Sequence, residues 1–263
     1  RKIIMKIFIF FYTIFYCFIL FPLFIIAGIW NKKIRTGLRG RFRQIQKIRR
    51  FAKEKTNAPL FLFHSSSVGE WEQSIPIIQE LKKHTPNVQI VATFFSPSGM
   101  KHGKKEQVDA SFYLPLDIYW IALRFFKLLQ PTAWVISKYD VWPMFIYAAD
   151  SLNIPIILSS AELAADSTRH KAIFALFNRM YYKYISIIFA VSDEYKKRFL
   201  RLFPYPEKII VSGDARYDYI ISKAEKIAPE KPIELFASPL PLTFIAGSIW
   251  PADEKHVLPA LLS

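Results

Sequence analysis

PLFLFHSSSVGEWEQSIPIIQEL, residues 59–81, decides how this chain folds. Four apolar residues, Leu60 to Phe63, lead into His64, three serines, Val68, Gly69 and Glu70. An unbroken apolar run of strand length is what a strand covered on both faces requires. The small polar residues that follow read as a strand-to-helix turn, and the pattern from Glu70 to His84 reads as a helix. Pro76 interrupts that stretch, so the regular helix is expected to begin near Ser74, with Glu70 in the preceding turn.

The same alternation continues outward. Strands are expected at 60–64, 88–95, 111–114, 133–137, 154–159, 186–191 and 208–212. Helices are expected near 70–84, 97–106, 118–129, 143–152, 168–184 and 193–203, several behind a capping Ser or Asp or an early Pro. Strand and helix in turn predict an α/β fold, a doubly wound parallel sheet. Residues 228–241, APEKPIELFASPLP, carry four prolines and read as a linker. Residues 242–263 begin a new strand, turn and helix. One such unit cannot bury its own faces, so a second domain is expected to continue from it. The start at Arg1 instead of Met gives the same expectation of a longer protein.

Toward the amino terminus the composition changes. Hydrophobic residues make up 52% of the 263, and many sit in residues 7–29, IFIFFYTIFYCFILFPLFIIAGI, which hold no charge. A helix of that length spans a hydrocarbon core of ~30 Å. Residues 1–31 are therefore expected to anchor the chain in a membrane. A cleaved signal peptide fits less well, because the run is long and its polybasic flank follows it.

The net charge of +15 is concentrated there too: residues 1–50 hold 12 of the 36 Lys and Arg and no Asp or Glu. A nucleic-acid binder would keep its basic face on the folded body. Charge beside an apolar run points instead to an anionic membrane surface, with the body on the cytoplasmic side. In residues 32–58, Ile34, Leu38, Phe42, Ile45, Ile48 and Phe51 form one helical stripe. It would lie on the bilayer or pack on the chain's own domain. The single cysteine, Cys17, excludes a disulfide framework within the chain.

In a sheet of this class ligands bind beyond the carboxyl ends of the strands. The segments there are HSSSVGE (64–70), SPSG (96–99), SKYDVWP (137–143), SAELAADSTRH (160–170) and GDARYD (213–218). Each alone reads as ordinary turn chemistry; five on one edge predict a cleft. Glu70 keeps two readings from the residues alone. It stabilises the helix dipole from the first turn, or it is a base made effective by position. The five histidines form no metal motif, and neither a phosphate-binding GxxxxGK[ST] nor a GxGxxG is present.

These motifs, in this order, resemble a known family. HSSSVGE is similar to the H-x-x-S-x-G-E signature of 3-deoxy-D-manno-octulosonic acid (Kdo) transferases of lipopolysaccharide synthesis. TFFSPSGM (93–100) resembles the family's T-x-T-x-P-T/S-G turn, and SKYDVWP its E-T-E-L-W-P block. YLPLD (113–117), GDARYD, AGSIWPADE (246–254) and GLRGR (37–41) follow the pattern as well. The resemblance implies a two-domain GT-B glycosyltransferase moving Kdo from CMP-Kdo to a lipid A precursor, with inversion, without a cofactor or metal. It implies attachment to the cytoplasmic face of a bacterial inner membrane. Residues 59–227 would be the acceptor-binding domain, and 242–263 the start of the nucleotide-sugar-binding domain.

The resemblance also carries residue roles. Glu70 would be the catalytic base. Ser66, Ser67, Gly69, Ser98, Asp140, Arg216 and Ser248 would bind substrate. Lys138 stands where many members have glutamate, and Arg216 where they have lysine. Both are expected to neutralise anionic groups of donor or acceptor. Two other readings remain: a membrane-tethered binding or scaffold protein without a catalytic half, and a GT-B enzyme using another lipid acceptor and a nucleotide-diphosphate donor.

Overall fold

The computed structural model describes residues 2–103, 106–138, 140–165, 167, 172–226 and 244–262. The expected linker at 228–241, Tyr139 and most of the DSTRH segment lie outside the described residues.

Among the described residues seven parallel strands form one sheet: β1 (Leu60–Ser65), β2 (Gln89–Phe94), β3 (Ala110–Tyr113), β4 (Ala133–Ser137), β5 (Ile156–Ala161), β6 (Ile187–Ala190) and β7 (Ile209–Val211). Their order is β3-β2-β1-β4-β5-β6-β7. The chain winds outward from β1 in one direction, then restarts beside it at β4. The switch point therefore lies between β1 and β4, where a ligand crevice is expected.

Period-two alternation explains why both faces are covered. Leu60 and Leu62 of β1 point into one cluster, with Val91, Trp134, Ile136 and Leu158. Phe61 and Phe63 point the other way, onto Trp71, Ile78, Ile90 and Val135. Near the carboxyl ends the alternation carries polar side chains instead, and these floor the crevice.

The helix after β1, labelled by its place in the chain, is α5 (Val68–His84). It starts two residues before Glu70 and runs through Pro76, where an interruption was expected. Proline removes one backbone bond and costs ~3 kcal/mol in a helix interior. Trp71 and Ile78, each 1% exposed, lie on either side of it, and their burial against the sheet offsets that loss.

Four helices precede the sheet: α1 (Lys2–Phe15), α2 (Phe21–Trp30), α3 (Lys32–Arg43) and α4 (Ile45–Glu54). A five-residue π turn, Tyr16–Leu20, joins α1 to α2 without breaking the helix. Pro22 explains it: its ring would press on the carbonyl four residues back, and a wider turn relieves that contact. Met5–Trp30 is long and apolar enough to cross a membrane by length and composition, and almost none of it is buried.

Both ends of this apolar rod nevertheless touch the folded body. Phe8 packs edge-on to Tyr147 and against Phe177, with centroids 5.5 and 5.4 Å away. Tyr12 donates a hydrogen bond to Asp117 at 2.6 Å. At the far end α2 packs on α3, with the Gly28 backbone close to Arg35 and Leu38.

Part of the stripe in residues 32–58 packs on the chain's own domain. Ile48 is buried in the core and Phe51 packs on it, while Phe42 and Ile45 stay exposed. The break at Gln44 has a purpose. Its side-chain amide exchanges two hydrogen bonds, each 2.5 Å, with the backbone of Tyr113, covering the free edge of β3. Gly40 lets α3 approach there, since a Cβ would lie 2.2 Å from the Tyr113 ring.

The remaining helices are α6 (Pro97–His102), α7 (Tyr119–Leu129), α8 (Pro143–Ser151), α9 (Ala172–Tyr182), α10 (Asp193–Phe199), α11 (Ala215–Lys226) and α12 (Pro251–Leu262). The chain divides into two compact units, residues 1–222 and 223–263. In the second, α12 starts behind Trp250, whose carbonyl accepts from Asp253 and Glu254 and whose N–H donates to Asp253 Oδ2 at 2.9 Å.

Candidate active site

The carboxyl ends of β1, β2, β4 and β5 carry a buried polar layer. In register, His64 faces Thr93 and Ile136, and Ser137 faces Ser159. His64 Nδ1 lies 3.1 Å from Thr93 Oγ1, and its Nε2 lies 2.9 Å from Asp140 Oδ2. Ser137 Oγ bonds Ser65 Oγ at 3.2 Å and Ser74 Oγ at 2.8 Å. A buried polar group is costly unless partnered, and this layer partners its members mutually.

Above it sits Glu70. Ser67 caps α5, its Oγ accepting from the Glu70 N–H at 3.4 Å. Ser66 holds the carboxylate. Its N–H donates to Oε2 at 2.7 Å, and its hydroxyl lies 2.7 and 2.8 Å from the two oxygens. A hydroxyl has one proton to give, so one carboxylate oxygen keeps room for another donor. Gly69 faces open space: a Cβ there would meet nothing within 4 Å.

Cations and carboxylates gather beyond β4 and β5. Lys138 Nζ lies 3.2 Å from Glu162 Oε2, both side chains largely buried. Arg216 stands on the first turn of α11, 3.9 Å from Glu162 and 3.9 Å from Asp214. Asp214 also accepts from Gln73 Nε2 at 3.2 Å, tying this cluster back to α5. Lys138 and Ser160 both hold φ near +60° and +46°, a backbone state that non-glycine residues adopt at some cost and that gathers at functional sites. Gln73 Oε1 and Trp142 Nε1 are buried without a hydrogen-bond partner among the described residues.

On the β2 side, Ser96 caps α6 and its hydroxyl lies 2.9 Å from Ser98 Oγ. Arg41 reaches this edge from α3, donating to Phe95 O at 2.8 Å and Leu114 O at 3.0 Å. Its guanidinium lies 4.5 Å over the Phe95 ring, whose other neighbour is the Trp142 indole, stacked at 4.9 Å.

A family model described as 3-Deoxy-D-manno-octulosonic-acid transferase (kdotransferase) matches residues 37–219. The chain belongs to the Kdo transferase family. It is 30% identical over 157 residues to the 3-deoxy-D-manno-octulosonic acid transferase of Haemophilus influenzae, covering 59% of this chain and 37% of that protein. With the Chlamydophila psittaci protein of the same name it shares 27% over 214 residues, covering 77% and 48%. The chain thus spans about half or less of the length of these relatives. Among solved structures, UDP-GlcNAc 2-epimerase from Neisseria meningitidis bound to UDP-GlcNAc gives a TM-score of 0.49 at 17% identity, covering 66% of this chain and 50% of that one.

Within this member of the family, Ser66, Ser67, Gly69 and Glu70 share one turn. Asp140 joins them through His64, and Lys138 and Arg216 meet at Glu162. Ser98 lies on the neighbouring edge. Ser248 is in the second unit, exposed, with φ +57°. The residue pattern alone did not single out His64, Gln73, Glu162 or Asp214. Signals existed for two: His64 ends an apolar strand, and Asp214 precedes an unrecognised helix and accepts a first-turn N–H, that of Arg216, at 2.9 Å. Among the described residues no cluster of three or more His, Cys, Asp or Glu side chains is placed to hold a metal ion.

Proposed function

We propose that this chain supplies the acceptor-binding half of a GT-B glycosyltransferase that moves Kdo from CMP-Kdo to a lipid A precursor. The observation that carries the proposal is the Glu70 carboxylate. It is held at the carboxyl end of β1 by Ser66 and keeps one oxygen able to take a further proton donor. Family membership supplies the substrate class.

The chemistry is a displacement at the anomeric carbon of Kdo. A sugar hydroxyl of the acceptor attacks from the face opposite CMP, a new C–O bond forms, and the bond to the CMP phosphate oxygen breaks. CMP leaves with that electron pair, and the configuration inverts. Glu70 receives the hydroxyl proton as the bond forms. Its contribution is positional: Ser66 holds the carboxylate where the attacking hydroxyl would sit. Lys138 and Arg216 bias the rim toward anionic groups of donor or acceptor, within the limits their pairing with Glu162 sets.

The membrane enters through the helix formed by α1 and α2. Because Phe8 and Tyr12 at one end and Gly28 at the other all pack on the body, the helix runs along the body and not away from it. We read it as lying in the cytoplasmic leaflet, its exposed apolar residues in lipid and its basic flank at the anionic surface. That keeps the cleft beside a lipid-borne acceptor. The test is incubation of the full-length protein with CMP-Kdo and lipid A precursor in mixed micelles. Formation of the Kdo-bearing lipid supports the proposal; absence of transfer, with CMP-Kdo recovered intact, rejects it.

A further inference from the structure

A cavity of about 210 Å³ lies beneath the apolar helix. Tyr16, Phe21 and Phe24 form one wall and Ile34 and Leu38 of α3 another; Pro97, at the start of α6, closes it against the sheet. Lys33 also lines it, and Arg41 closes its inner end, held by its bonds to the Phe95 and Leu114 carbonyls. Lining this apolar means the space gains nothing from water, while a hydrocarbon would fill it.

Three observations say what occupies it. The outer face of the same helix continues the apolar surface, with Phe18, Leu23 and, across on α3, Phe42 exposed. Cations stand at its wall and its inner end, matching an anionic amphiphile. Most directly, the cavity adjoins the carboxylate. Ser96, a wall residue, donates its N–H to Ser66 O at 3.1 Å, and Ser66 N–H donates to Glu70 Oε2 at 2.7 Å. The slot and the base are two hydrogen bonds apart.

We infer that this cavity is a slot for one acyl chain of the acceptor glycolipid, which presents the acceptor sugar to Glu70. The inference rests on the proposed acceptor class and adds how the chain length and position of that acceptor are read. A chain seated under Phe24 and Leu38 restricts the sugar's position above Ser66, converting lipid affinity into orientation at the carboxylate.

The experiment uses full-length protein in vesicles and a phosphorylated, acylated glucosamine disaccharide with a diazirine in one acyl chain. Irradiation should label cavity residues such as Phe24, Ile34 and Leu38, at least tenfold over the outward Phe18 and Leu23. Gly37→Leu should remove that label, because a Cβ at Gly37 already lies 3.6 Å from Pro97 and its side chain would cross the cavity. Phe24→Trp, at a half-exposed position, narrows the slot from the other wall and guards against misfolding of the first variant. In the transfer assay, either variant should lower the preference for acylated over deacylated acceptor at least tenfold. Label spread evenly along the helix, or a preference unchanged in both folded variants, overturns the slot. If wild-type protein transfers to neither acceptor, the proposed function fails, and the labelling pattern still decides the slot by itself.

Discussion

His64 Nε2 lies 2.9 Å from Asp140 Oδ2, with the imidazole wholly buried and the carboxylate 22% exposed. The ring's other nitrogen is engaged by Thr93, so the imidazole is fixed at both ends and fixes Asp140 in turn. A carboxylate at the mouth of a crevice is thereby oriented from below, by a residue that does not itself face solvent.

His64→Leu, close to the imidazole in size, removes both bonds. It should leave Asp140 unoriented and cost about 1–3 kcal/mol of stability for the polar groups left unpaired. Denaturant unfolding reads the stability. Transfer kinetics should show a larger drop than this destabilisation explains, and Asp140→Asn in the same background should add little further loss.

Lys138 and Glu162 form the second pair to test. Lys138→Glu places a carboxylate beside Glu162 and should weaken both the fold and binding of anionic substrate. Combining it with Glu162→Lys restores the pair with inverted polarity. Recovery of stability in the double variant, with a coupling of about 0.5–3 kcal/mol, is the expected result of a double-mutant cycle. Recovery of substrate KM would show that the pair acts as a unit; its absence would show that the cation must sit just beyond β4, at position 138.

Asp117 gives a pH dependence. Burial pushes its carboxyl from the ordinary 3.8 up to about 7, against the opposing hydrogen bonds from Tyr12 and the backbone of α8. The native state therefore keeps a proton that the unfolded chain releases near pH 4. Stability is highest below that, falls as pH rises toward 7, and levels off above it. Unfolding measured from pH 4 to 8 should show this slope in wild type and lose it in Asp117→Asn.

The course of the helix can be checked by labelling. A cysteine replacing Met5, with Cys17 changed to Ser, should resist an impermeant maleimide added outside intact cells and react after the cytoplasmic side is opened. Labelling from outside would mean that the helix crosses the bilayer and that the packing of Phe8 on Tyr147 does not persist in the membrane.

The sheet was legible because its strands are continuous apolar runs punctuated by Ser, Gly and Pro, and the seven strands expected between 60 and 212 are present within a few residues; the further strand expected at the start of 242–263 is absent from residues 244–247, while the helix after it, α12, is present. Helix α5 was misjudged at Pro76. Local propensity favours a break there, whereas burial of Trp71 and Ile78 on the sheet decides otherwise. The turn from Ser66 to Glu70 could be read as a unit because its residues are adjacent in the chain. The joining of His64 to Asp140, 76 positions apart, and of Lys138 to Glu162 depends on strand order, which composition and spacing do not encode. Helix α11 was missed because GDARYD was read as a loop; Asp214 as its cap was the available sign.

Glu70→Gln tests the central claim most directly, measured as single-turnover Kdo transfer by full-length protein with the fold checked by circular dichroism. An amide can still accept from Ser66 but cannot take the hydroxyl proton. Loss of about 10²–10⁴-fold in the rate, with acceptor binding retained, is the predicted result. A folded Glu70→Gln enzyme that turns over within a few-fold of wild type would contradict it.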